Sequence, residues 1–100
     1  MLFRSLGLGR PAEALDKASL ALDIHMSAGD LLGQALALKF QGEAQLALGQ
    51  DALARTAWNT ALAGFQQLGE AAEAAEVEMQ LAAIESRFGR LSGLLSHDLV

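Results

Sequence analysis

The chain has no cysteine, no tyrosine, one proline and one tryptophan among its 100 residues. Without cysteine there are no disulfides, no cysteine-containing zinc sites and no thiol catalysis, and the redox compartment is left undetermined. Basic residues are also scarce. Seven Lys and Arg against twelve Asp and Glu leave a formal charge of −5. A nucleic-acid binder carries a basic face, so this scattered set argues against direct contact with DNA or RNA. No apolar run approaches the ~18 residues of a membrane span. The opening "MLFRSLGLGRP" has neither a long apolar stretch nor an Ala-x-Ala-like site and is not read as a signal peptide. With these absences the expected location is cytoplasmic, away from membranes.

Ala and Leu, by contrast, are abundant, and hydrophobic residues make up 52% of the chain while aromatics make up 5%. Ala and Leu lose little entropy on entering a helix, whereas strands favour β-branched and aromatic residues. An Ala- and Leu-built core gains its burial from close helix–helix approach.

The chain repeats itself at an offset of forty. Leu6 falls on Leu46, Leu8 on Leu48, Ala14 on Ala54, Ala21 on Ala61, Leu22 on Leu62, and Gly29-Asp30 on Gly69-Glu70. Gly9, Gly29, Gly49, Gly69 and Gly89 stand twenty residues apart, each where an apolar periodicity ends. Glycine suits the position just past a helix because it adopts φ > 0 without a Cβ clash. Starting signals follow the first four: Pro11, Asp30, Asp51 and Glu70. The spacing predicts helices to about residue 8, then 11–28, 30–48, 51–68 and 70–88, with an apolar tail beyond. Links of two or three residues make consecutive helices antiparallel. Stripes at spacings of three and four mark the core faces: Ala14, Ala18, Ala21 and Leu22; Ala54, Trp58, Ala61, Leu62 and Phe65; Val77, Leu81, Ile84 and Phe88.

The period of forty matches a HEAT or armadillo unit better than the ~34 residues of a tetratricopeptide unit, but side-chain order points the other way. Leu38, Gly42, the turn at Gly49, then Ala54, Trp58 and Ala61 stand in the order and spacing of the tetratricopeptide pattern. The region from about residue 8 to 90 therefore resembles that repeat family, in the longer form found in bacterial signalling and transcription-regulatory proteins. Departures occur at Ala18, where an aromatic is expected, at Gln41 and Gln45, usually Leu and an aromatic, and at Glu78 and Glu85 in the last unit.

The resemblance implies an all-α fold of antiparallel helix-turn-helix repeats stacked as a short right-handed α-solenoid. One domain spans 1–100, with a partial unit at 1–28, a full unit at 30–68 and a partial unit at 70–100. It implies a non-enzymatic interaction module, without cofactor, that holds a peptide or partner domain on its concave face. Lys39, Glu43, Glu76, Met79 and Arg87 would face that groove, although charges at such spacing also serve an ordinary solvated face. Gly42, Ala54, Trp58, Ala61, Gly29 and Gly69 are structural positions. Both ends are apolar, through Met1, Leu2, Phe3, Leu6 and Leu8 and through Leu91, Leu94, Leu95, Leu99 and Val100. Either the chain belongs to a longer array, or its ends join a second copy as a dimerisation unit.

Catalytic signatures are lacking. His25 has no second His at i+3 or i+4, and it aligns with Phe65 as a packing residue. The serines lack a Gly-x-Ser-x-Gly setting, and glycines twenty apart cannot form a phosphate loop. "SHDL" at Ser96–Leu99 resembles the start of the phospho-acceptor box of sensor histidine kinases, which would make the chain the sensory region preceding a kinase core, but the Arg-x-Pro-Leu that completes such a box does not follow.

Overall fold

The structure, a computed structural model, describes residues 10–99, with side chains through Ser86. Within them the chain is all-α: α1 (Pro11–Ala28), α2 (Leu31–Ala47), α3 (Asp51–Leu68) and α4 (Ala71–Leu99). Each helix packs against the next in sequence, as a stack of helical repeats does. Among the described residues no helix is long and apolar enough to cross a membrane.

Three of the links are built alike. Gly29, Gly49 and Gly69 have φ of 70°, 80° and 76°. At each, the glycine N–H and the next N–H turn back to carbonyls of the preceding helix. Gly29 donates to Met26 at 3.2 Å and Asp30 to His25 at 2.9 Å; Gly49 donates to Leu46 at 3.0 Å and Gln50 to Gln45 at 2.8 Å; Gly69 donates to Gln66 at 3.2 Å and Glu70 to Phe65 at 2.8 Å. This doubly hydrogen-bonded glycine cap satisfies carbonyls that a helix end otherwise leaves open. The first link has one more tie. Asp30 Oδ1 accepts from the Gly33 N–H at 2.9 Å, capping α2, while its Oδ2 lies 3.2 Å from His25 Nδ1.

The expected stop at Gly89 does not occur, since α4 runs through it to Leu99. Glycine permits a left-handed cap but does not impose one. Gly89 is followed by Arg90 and Leu91, both good helix formers, where the other breaks are followed by a proline, an acid or a Gln-Asp pair. Gly9 lies outside the described residues, as does the predicted helix to residue 8.

The core centres on α3. Ala54, Trp58, Ala61 and Phe65 form its buried stripe, joined by Ala35 of α2 and by Ala74, Val77, Leu81 and Ile84 of α4. α2 is buried on more than one side, because α1 and α3 both cover it. The α2–α3 approach is set by one pair. A Cβ built on Gly42 would stand 2.4 Å from the Trp58 indole nitrogen, so the indole lies flush on the bare backbone of α2. Its Nε1–H donates to the Lys39 carbonyl at 3.0 Å. Trp58 thus fills the seam within its own helix pair while also joining the α4 side of the core.

Candidate functional site

Residue 39 joins three helices. Its carbonyl receives the Trp58 indole from α3, and its side chain crosses to α4. Lys39 Nζ lies 2.9 Å from Glu73 Oε1 and 2.7 Å from Glu76 Oε1. Glu73 and Glu76 are one helical turn apart, so they share a face and take one ammonium between them. One turn further along, the Gln80 side chain hydrogen-bonds to the Glu43 carboxylate. These contacts lay α2 and α4 side by side, although 34 and 37 residues separate the two ion pairs' partners in sequence.

The electrostatics follow from this arrangement. Burial pulls the Lys39 pKa down, but the hydrogen bonds and negative charge of Glu76 and Glu73 outweigh it, and the net shift is upward from 10.5. Burial pushes the Glu43 carboxyl above its ordinary 4.5, and the charge of Glu76 adds to the rise, against the opposing effects of Lys39 and Gln80. The Lys39 ammonium also stands 5.6 Å from the centroid of the Phe40 ring, within cation–π range.

Of the residues expected to face a groove, Lys39, Glu43 and Glu76 are brought together. Lys39, however, has a side chain only 9% exposed and already holds two carboxylates; it cross-links helices and offers little charge to a ligand. Met79, one turn from Glu76, is 73% exposed. The Arg87 side chain lies outside the described residues, as does "SHDL" as a set of side chains. Glu73 and Gln80 belong to the same face and were not anticipated. Their signal lay in the forty-residue offset: they correspond to Gly33 and Phe40, the side of α2 turned toward whatever precedes it. What remains accessible is an acidic strip of Glu43, Glu73 and Glu76, with Met79 as its exposed apolar element. Such a strip can hold cationic groups by charge and an apolar side chain by contact. Among the described residues no cluster of three or more histidines and acids is arranged to hold a metal ion.

A second concave feature lies between α1 and α2. It is a groove of about 500 Å³, floored by Ala14, Ala18 and Ala21 of α1 and by Phe40, Ala44 and Ala47 of α2. Phe40 is 52% exposed there.

A comparison of the chain with family models, curated proteins and solved structures finds no match.

Proposed function

We propose that this chain is a non-enzymatic protein-interaction module of tetratricopeptide-like helix pairs, and that its partner is a basic, amphipathic peptide segment lying along α2 and α4. In keeping with the sequence resemblance, its place would be the regulatory or scaffold part of a bacterial signalling protein. The observation that carries this reading is the α2–α4 pairing: Lys39 draws Glu73 and Glu76 beside Glu43, so carboxylates outnumber the one ammonium, which is itself enclosed. An extended acidic face raises the local concentration of a cationic partner and speeds its encounter, and Met79 supplies an exposed apolar contact.

Fluorescence anisotropy with a labelled Lys/Leu peptide and its Glu/Leu counterpart tests this. The basic peptide should bind, more weakly at high salt, and Met79→Lys should cost it at least tenfold while leaving the circular dichroism unchanged. Equal binding of both peptides, or indifference to Met79→Lys, would refute the reading. A second reading, a self-associating structural unit, is favoured by Leu20 and Ile24, which α1 leaves 61% and 57% exposed. Light scattering over a range of concentrations separates the two.

A further inference from the structure

We propose that the groove between α1 and α2 receives the outer face of α4 from a second copy of this chain, so that copies join head to tail and the helix stack continues from one to the next. The inference rests on the self-association reading and gives it a definite, two-sided interface. It is independent of the peptide reading, with which it shares only Met79.

The contact already exists once within the chain, as α2 lying on α3 and beside α4. The face of α3 that α2 covers holds Ala54, Trp58 and Ala61, all buried. Forty residues earlier stand Ala14, Ala18 and Ala21, the α1 side of the groove. On α2, Ala35 and Gly42 approach α3 closely, at Gly64 and at Trp58. Forty residues later stand Ala75 and Ala82, both exposed on α4. The two halves of the α2–α3 contact are thus present a second time. They stand on α1 and α4, which lie on either side of the α2–α3 pair. Two different faces that meet only between copies make a head-to-tail interface.

Side-chain volumes support the match. Adding forty on one copy and subtracting forty on the next converts each internal pair into a pair across the interface. Glu43 meets Gln80 of α4; that polar pair becomes Ala83 and Phe40. Lys39 meets Glu76; that ion pair becomes Met79 and Leu36. Ala35 beside Gly64 becomes Ala75 beside Ile24. Phe40, Met79 and Ile24 are all more than half exposed in a single copy. Each therefore gains a small or apolar counterpart, and burial of such surface favours association. Trp58 on Gly42 becomes Ala18 on Ala82, two small residues that let the helices approach, so the bulk shifts along the seam to Ile24. One exchange runs the other way. Leu38 packs against the core that includes Phe65; their counterparts are Glu78 and His25, an acid opposite an imidazole.

Because the two faces differ, they can be blocked separately. Phe40→Arg blocks the groove and Ala82→Arg blocks α4. Both positions are exposed, and circular dichroism should show helicity retained. Light scattering of the full chain should give a mass that rises with concentration past two chains. Either variant alone should need at least tenfold more protein to associate. An equimolar mixture of the two should associate as readily as the parent but stop at two chains, since one intact groove and one intact α4 face remain. A parent chain that stays monomeric overturns both this proposal and the self-association reading. Association that survives both substitutions, or a mixture that associates no better than its components, overturns the proposal alone.

Discussion

At the scale of single residues, two glycines inside α2 face aromatic rings, but the rings differ in freedom. A Cβ on Gly42 would meet the Trp58 indole at 2.4 Å, and one on Gly33 would meet the His25 imidazole at 2.3 Å. Trp58 is 1% exposed and cannot move aside, whereas the His25 side chain is 36% exposed and can turn toward solvent. Alanine is the better helix former by about 1 kcal/mol, against which overpacking a rigid site costs about 1–3 kcal/mol. Gly42→Ala should therefore lower the melting temperature clearly and Gly33→Ala much less; equal losses in thermal denaturation would contradict this account of the seam. Glu43 gives a pH-dependent case. Its carboxyl titrates above 4.5 in the folded chain because burial disfavours its charge. The folded state then binds more protons than the unfolded one as pH rises through that interval, so stability falls there. Glu43→Gln should stabilise the chain at pH 7 and change little at pH 3.5, as urea unfolding at the two pH values would reveal. Gln45 also stands out: its side-chain oxygen is buried without a hydrogen-bond partner, a condition that costs about 1–3 kcal/mol.

At the scale of elements, glycines spaced by twenty have two different roles. Gly69 holds φ of 76° at the end of α3, a conformation that costs a residue with a Cβ about 1–2 kcal/mol. Gly89 lies inside α4, where glycine is about 1 kcal/mol worse than alanine. The same substitution should thus act in opposite directions: Gly69→Ala destabilising, Gly89→Ala stabilising. A fall in melting temperature for both would mean that α4 breaks at Gly89 after all. The helix spans themselves were legible from local chemistry. Glycine followed by an acid or proline marks a true end, because the stop and the next start are both encoded within three residues. Gly89 offers the stop without a following start, and the helix continues through it. The groove-facing set was legible only in part. Periodicity shows that Lys39 and Glu43 share a side of α2, but which helix covers that side depends on contacts 34 residues and more away.

At the scale of the molecule, the core joins α2, α3 and α4 around one tryptophan. Truncating a buried Trp costs about 3–5 kcal/mol, a large share of the ~5–15 kcal/mol that holds a domain together. Trp58→Ala should leave a loosely folded chain, and a melting temperature within a degree or two of the parent would refute this view of the core. The Lys39 cross-link works at the same scale with smaller energy, because Glu73 and Glu76 remain partly in water. Lys39→Met keeps the buried stem and removes the charge. Amide exchange should then quicken in the first turns of α4 and stay unchanged in α1.

The sequence alone determined that the chain is helical, where three of its links fall, and that its units recur every forty residues. Those properties rest on backbone preference and on spacing within a turn or two, and both are written in neighbouring residues. Tertiary structure alone decided what Lys39 does. Its ammonium, a reasonable anchor for a ligand on an isolated helix, is enclosed by two carboxylates because packing on α3 brings α4 alongside α2. The same packing set the indole of Trp58 on Gly42 and left the α1–α2 groove uncovered among the described residues. Such outcomes depend on the angle and distance between helices, which side chains far apart in sequence fix together.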